Sequence, residues 1–381
     1  MAMPSLRLKN VGQITEADIN FGDLTVFVGP QASGKSIALQ FLKLMVDMGQ
    51  VQSELTRYGL DWEQNLNRFL DIYFGEGMRS IWREGRSELA WAGQPVNLAS
   101  KVARMQRHKS ESLFFIPAQR VLALRDGWPR PFTDYSAGDP FAVREYSERL
   151  RVLVEQEFGR TEQVFPQPRR LKSELRELLK EHVFSEFQLQ VDKSRVQKRL
   201  VLGANGHPLP YMVWSAGQRE FVPLLLGLYW LMPSAAITTR DHIKWVVIEE
   251  PEMGLHPRAI TVVLLMMFEL VHRGYRVCIS THSPHVLEAI WALRQLRENQ
   301  GSPVDLLEAF SAPNTQQMRG PAQSIMDKAI KVFYYDRPTG RTNDISDLDP
   351  SGEEHGESGW GGLTEFSGKV NAVVADAVAN S

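Results

Sequence analysis

The sequence predicts an α/β fold: a mixed central sheet with flanking helices around a phosphate-binding loop, and a mainly helical insertion. Three observations predict it. A Gly-bearing loop joins an apolar strand to a helix in VFVGPQASGKSIALQFL, residues 26–42. A second apolar strand, in KWVVIEEPEMGLHP (244–257), ends in two acids. From 215 to about 290 the chain alternates helix and strand signals.

The elements follow in order. Up to residue 25, short apolar runs alternate with turn signals in SLRLKNVG and QITEADINFGD, which reads as two or three strands feeding the loop. Gly29, Gln31, Ala32, Ser33, Gly34, Lys35 and Ser36 then lie in the pattern G-x-x-x-x-G-K-S. Strand, loop and helix in this order aim backbone N–H groups at an anion on a helix N-terminus. Lys35 is placed to reach β- and γ-phosphates, and Ser36 to offer its hydroxyl to Mg²⁺.

From about 51 to 110 the pattern is mostly helical and mixed, with Trp62, Trp82 and Trp91 as packing anchors. SLFFIPAQR (112–120) reads as a short strand ending at Pro117. Residues 141–190 read as two charged helical runs separated by Pro166 and Pro168. In the second, Leu171, Leu175, Leu178, Leu179 and Val183 share a face, as in an amphipathic lid or arm. KRLVLGANGHPLPYMVW (198–214) reads as a hairpin around Asn205-Gly206. The tail from about 336, rich in Gly, Asp and Ser, reads as loop or disorder. The resulting organisation is a discontinuous core of 1–50 and 198–335, an insertion of 51–197 and a tail of 336–381.

The chemistry concentrates at strand ends. Glu249 and Glu250 supply the two acidic functions that a phosphate-loop ATPase needs: Glu249 for the metal, Glu250 as general base for the attacking water. Alternation along a strand would send adjacent residues to opposite sides and so separate the two roles. In YRVCISTHSPHVLE (275–288), another apolar strand delivers His282, suited to donate to a γ-phosphate and orient the water. In WSAGQREF (214–221), Ser215 and Gly217 at a helix N-terminus form a second anion site. One chain has no need of two γ-phosphate sites unless the second closes over a neighbour's nucleotide, which points to a dimer.

Composition bounds the rest. The chain has 381 residues, 43% hydrophobic and 23% charged, with a net charge of −2, so no general pull on nucleic acid is expected. Three local basic runs, 101–109, 168–172 and 193–199, are candidates for a DNA-contacting rim. The apolar stretches 221–237 and 259–271 are broken by prolines or too short to span a bilayer, so no membrane association is expected. A lone Cys278 in an apolar run and the lack of an apolar leader at the N-terminus point to a cytoplasmic protein.

The order of phosphate loop, S-x-G-Q element, acidic strand and histidine strand resembles the ABC-type ATPases. Within them it resembles the soluble RecF, Rad50 and SMC-like heads and the OLD-like ATPases, through EEPEMGLHP and STHSPHVLE. The resemblance covers about 1–50 and 198–290. It implies ATP and Mg²⁺ as ligands and a homodimer or higher oligomer. Two ATPs would each be held by one subunit's phosphate loop and by Ser215, Gly217 and Gln218 of the other, with GLHP at the seam. It also implies that Gln119 senses the metal and water. Stand-alone heads of this kind often act beside a separate effector protein in bacterial defence or toxin–antitoxin systems. A DNA-repair ATPase is the second reading and a transporter ATPase subunit the third, disfavoured by the Glu-Glu pair.

Three features depart from these families. Gln31 replaces the frequent Asn, Ala216 replaces the first Gly of transporter elements, and no strand ends in the Asp-x-Asp pair of a TOPRIM nuclease. DISDLDP (344–350) has spaced acids, but in a turn-rich context that argues against a metal site.

Overall fold

The chain opens as a hairpin of β1 (Ser5–Val11) and β2 (Ile14–Asn20), followed by the wholly buried β3 (Leu24–Val28) and the long helix α1 (Lys35–Arg57). The structure, a computed structural model, describes residues 3–107, 110–158, 163–168, 170–194, 197–204, 207–233, 240, 242–349, 360 and 365–379. Further along come α2 (Leu66–Phe74), β4 (Glu88–Trp91), β5 (Gln94–Pro95), α3 (Leu98–Ala103) and β6 (Leu113–Ile116). After a small hairpin of β7 (Leu124–Arg125) and β8 (Trp128–Pro129), the chain runs through α4 (Phe141–Glu157), β9 (Gln163–Phe165) and α5 (Ser173–Leu179). It continues through β10 (Gln188–Asp192), β11 (Arg199–Ala204), β12 (His207–Pro210), α6 (Ala216–Leu231), β13 (Trp245–Glu249), α7 (Pro257–His272) and β14 (Arg276–Thr281). The last elements are α8 (Pro284–Glu298), α9 (Pro303–Ala309), α10 (Gln316–Asp327), β15 (Ile330–Asp336), β16 (Arg341–Asp344) and α11 (Glu365–Ala379).

Ten strands form one mixed sheet in the order β5-β4-β1-β2-β16-β15-β3-β14-β13-β6. The stretch from β15 through β3, β14 and β13 to β6 is parallel, and the β5–β4–β1–β2 side is antiparallel. Parallel strands are covered on both faces, which is why LTVFV and WVVIE are continuous apolar runs and not alternating ones. Successive residues feed opposite cores. Val26, Val246 and Ile248 face one shared with α6 and α7; Phe27, Trp245 and Val247 face another shared with α1 and α2. The two stretches considered for membrane insertion are largely helices α6 and α7, packed in the first core. Among the described residues no helix is long and apolar enough to cross a membrane.

Several elements differ from the sequence expectation. The stretch 51–197 carries helices α2 to α5 and also short strands, of which the sequence predicts only β6: β4, β5 and β6 join the main sheet, and β9 and β10 form part of a second, four-stranded antiparallel sheet with β11 and β12. Strands of two to five residues are too short to show a period-2 pattern. The phosphate-loop helix also runs past residue 50, to Arg57. The leucine-rich segment after Pro168 is not a free arm: Leu171, Leu175, Leu178 and Leu179 are buried, and Lys172 pairs with Glu269 of α7 at 2.7 Å. The tail contains β16, paired with β15 and β2, and helix α11. RTND carries no apolar signal because β16 is held by main-chain bonds, with side chains that are exposed or half-buried. The turn at Asn205-Gly206 lies outside the described residues, although β11 and β12 on either side are paired.

A buried charge cluster ties α1 to the elements beside it. Lys43 Nζ, fully enclosed, meets Asp47 at 3.1 Å, Glu111 at 3.0 Å and Glu145 of α4 at 3.2 Å, and donates to the Leu113 carbonyl of β6 at 2.6 Å. Asp47 accepts from the N–H groups of Ser112 and Leu113, and its φ of −126° kinks α1 there. Burial disfavours the Lys43 charge, yet the three carboxylates hold its pKa above the ordinary value. Burial pushes Glu145 up to about 7, against the pull of Lys43. The fold therefore retains a proton that the unfolded chain has released between pH 4.5 and about 7, so this group's contribution to stability falls as pH rises across that window. Glu145→Gln is expected to flatten that slope. Urea unfolding of both proteins at pH 5 and pH 8 checks it, and identical slopes would contradict it.

Candidate active site

The site is assembled where β3, β14 and β13 end side by side. Register places Val28 of β3 beside Thr281 of β14, and Ser280 of β14 beside Glu249 of β13. The loop Gly29–Ser36, the pair Glu249-Glu250 and His282 all follow these aligned ends, in the crevice beyond the carboxyl edge where open α/β sheets bind ligands.

The loop is locked by close approach. Gly29 has φ 145°, and a Cβ there would lie 2.5 Å from the Tyr335 carbonyl oxygen. Gly34 has φ 101°, and a Cβ there would meet Ile14 Cγ1 at 2.5 Å. Only glycine meets both demands. Lys35 is buried, and its Nζ donates to the carbonyls of Gly29 (2.8 Å) and Pro30 (2.7 Å) and to Ser33 Oγ (3.3 Å). The amine thus sits inside the loop that carries it. Burial draws its pKa down to about 8, while Glu250, Glu249 and Glu252 oppose the shift. Gln31, Ala32 and Ser36 are exposed, and Ser33 is buried.

Glu249 is 2% exposed, and its Oε2 accepts from the Ala118 N–H at 3.1 Å. Its Oε1 is buried with no hydrogen-bond partner among the described residues. Burial raises its pKa, and the nearby Ser36 hydroxyl and the Ala118 N–H oppose that rise. Glu250 is not part of the strand. Its φ is 44°, so strand alternation does not separate the two acids; a left-handed residue just past the strand end does. A non-glycine residue held there stores strain, a feature concentrated at functional sites. Glu250 Oε1 lies 3.3 Å from His282 Nε2, and this contact first of all holds the Glu250 carboxyl below its ordinary range.

Two residues that sequence reasoning passed over complete the frame. Arg120 is wholly buried and donates to the carbonyls of Glu220 (3.1 Å), Glu249 (2.9 Å) and Glu250 (3.0 Å), joining α6 to the end of β13. Glu252 accepts from the Thr281 hydroxyl and the His282 N–H. Gln119, its neighbour in sequence to Arg120, has an exposed side chain at the N-cap of the 3₁₀ turn Arg120–Ala123; its Arg neighbour makes the inward contacts.

The S-x-G-Q element begins α6. Ser215 Oγ accepts from the Gln218 N–H at 3.2 Å, and Gln218 Oε1 accepts from the Ser215 N–H at 3.0 Å, a capping box. Gln218 therefore spends its side-chain oxygen on the helix end. Gly217 packs on the first residue of GLHP: a Cβ there would meet the Gly254 carbonyl oxygen at 2.7 Å.

With this geometry in view, the sequence family described as "AAA domain, putative AbiEii toxin, Type IV TA system" matches residues 97–288, half of the chain. The chain belongs to this family. The AAA-domain match takes in Arg120, Ser215, Glu249, Glu250 and His282, while Gly29–Ser36 lies ahead of it. No curated protein matches by sequence. Three solved structures show a likeness. An SMC head bound to the C-winged helix domain of ScpA is 12% identical over 74% of this chain and 90% of that one, with a TM-score of 0.41. An SMC head domain from Thermotoga maritima is 13% identical over 76% and 92%, with a TM-score of 0.32. CbiO1 from Clostridium perfringens, part of the ABC transporter complex cbiONQ, is 13% identical over 89% and 86%, with a TM-score of 0.34.

The basic runs of this AAA-domain protein are partly committed. Arg170 pairs with Glu157, Lys172 with Glu269 and Arg199 with Asp192. His108, Lys109, Arg169, Arg195 and Val196 lie outside the described residues. In the 344–350 run, Asp344 pairs with Lys331 and Asp347 with Arg294. Among the described residues no cluster of His, Cys, Asp and Glu is arranged to hold a metal on its own.

Proposed function

We propose that the protein is an ATPase that closes head-to-tail into a homodimer around two ATP molecules, and that this closure controls a separate effector protein. The observation that carries the reading is the convergence, at the ends of three adjacent parallel strands, of the Gly29–Ser36 loop, the Glu249-Glu250 pair and His282. The description of the family, "putative AbiEii toxin, Type IV TA system", supports a function within a toxin–antitoxin system.

In this reading the loop N–H groups and Lys35 bind the β- and γ-phosphates. Glu249, with its unpartnered buried oxygen, and Ser36 suit Mg²⁺, with Gln119 as a further contributor at the rim. Mg²⁺ bound there would neutralise charge on the phosphate oxygens. Glu250, kept ionised beside His282, accepts a proton from the attacking water. The water oxygen bonds to the γ-phosphorus as the bond to the β-phosphate oxygen breaks, leaving ADP and phosphate. Ser215, Gly217 and Gln218 face the partner's nucleotide, with Gly254 at the seam.

Support for duplex contact comes only from the basic runs, and Arg170, Lys172 and Arg199 are engaged internally. The test of the main reading is phosphate release by the purified protein with Mg-ATP. Steady release that stops on chelation of Mg²⁺ is expected; no release at saturating Mg-ATP would overturn it.

A further inference from the structure

Between β13 and α7 the chain turns at Pro251–Gly254, and Glu252 sits in that turn. One of its oxygens, Oε1, accepts two hydrogen bonds from the far side of the site: from Thr281 Oγ1 at 2.8 Å and from the His282 backbone N–H at 2.7 Å. Thr281 is wholly buried at the end of β14, and its hydroxyl in turn accepts from the Ser283 N–H at 3.0 Å. The other oxygen of Glu252 is buried without a hydrogen-bond partner among the described residues. One oxygen that accepts from both a side-chain hydroxyl and a main-chain N–H ties the turn to the end of β14 at two adjacent residues.

What this tie holds is the backbone of His282, whose ring lies 3.3 Å from Glu250 Oε1. The turn that carries Glu252 also touches Gly217 of the S-x-G-Q element through Gly254. We propose that Glu252 is a positioning residue: its carboxylate fixes the Thr281–His282 backbone so that the His282 ring meets Glu250, and it carries displacements of the seam turn to that histidine. This inference rests on the ATPase reading. It assigns Glu252 no contact with the nucleotide. A backbone N–H and a buried hydroxyl are its partners, and both need an acceptor, not a charge.

The test is steady-state hydrolysis of Mg-ATP by the full chain carrying Glu252→Ala, Glu252→Gln, Thr281→Val, or His282→Ala with and without Glu252→Ala. Glu252→Ala should lower kcat about 10–100-fold with KM for ATP unchanged, the signature of a misplaced group and not of lost ground-state binding. Glu252→Gln keeps an acceptor oxygen and should recover most of that loss. Thr281→Val removes one donor and should cost less than Glu252→Ala. On the His282→Ala background, Glu252→Ala should cost little more, because its effect is exerted through that histidine.

Three results would overturn the proposal: kcat of Glu252→Ala within threefold of the unaltered protein, Glu252→Gln as impaired as Glu252→Ala, or a full additional loss on the His282→Ala background. Should Glu252→Ala fail to fold, Thr281→Val decides, and an unchanged kcat there would overturn the proposal. A lack of hydrolysis by the unaltered protein is a different result, and it strikes the ATPase reading itself.

Discussion

Replacing the general-base candidate, Glu250→Gln, is expected to leave ATP binding in place and to lower turnover by roughly 10²–10⁴. The amide has nearly the carboxylate's shape, so the phosphate loop and the Arg120 bonds to the Glu249 and Glu250 carbonyls persist. What it lacks is a proton-accepting oxygen of useful basicity. In the protein that oxygen is kept ionised by the His282 contact and remains about one-third accessible, at 29% side-chain exposure, so water can reach it. Glu249 is the contrasting acid, 2% exposed with its pKa raised by burial. Phosphate release at saturating Mg-ATP, beside nucleotide affinity measured directly, checks the assignment. If Glu249→Gln shows the turnover loss with Mg²⁺ affinity intact, and Glu250→Gln does not, the two roles are reversed.

The second large effect is on binding. Lys35→Ala should raise the Kd for ATP at least about 10²-fold, as the loss of charge-assisted bonds worth about 1.5–3 kcal/mol each implies. The amine is buried at the centre of the loop and its burial already draws it down to about 8, so in the free protein its charge is held at a cost. Removing it should therefore harm the fold less than the ligand. The three bonds it makes, to Gly29, Pro30 and Ser33, are short-range ties within one loop. Titration with a fluorescent nucleotide, paired with a thermal melt, separates the two effects. Unchanged affinity in a folded variant would remove the phosphate-loop assignment.

The parts of the site that were legible in the sequence are those whose chemistry is contiguous. Gly29 to Ser36 announces itself because loop, strand and helix N-terminus are consecutive. Glu249-Glu250 stands out because four apolar residues precede it. The roles of Arg120 and Glu252 were illegible because their partners are remote: Arg120 bonds to residues 100, 129 and 130 positions away, and Glu252 to residues 29 and 30 positions away. Alone, each reads as an ordinary surface charge.

The same holds for the fold. Lys43 and Asp47 look like the polar face of α1 yet are buried together, and the helix is kinked at Asp47. β16 is a polar RTND strand recruited by its neighbours' free main-chain groups, which no side-chain period betrays. The strand alternation assumed for the two acids failed at one residue, Glu250, whose φ of 44° no periodicity encodes. Local rules break where the site stores strain, as expected of a functional position.

The central claim is that bound ATP brings a second subunit onto the Ser215 face. It is tested most directly by the native mass of Glu250→Gln, purified from its own host, with and without Mg-ATP. The account predicts a monomer without nucleotide and a dimer with it, accompanied by a stoichiometric effector protein. A monomer in both states would contradict it, leaving a phosphate-loop protein in which Ser215 and Gly217 serve only to cap and pack α6.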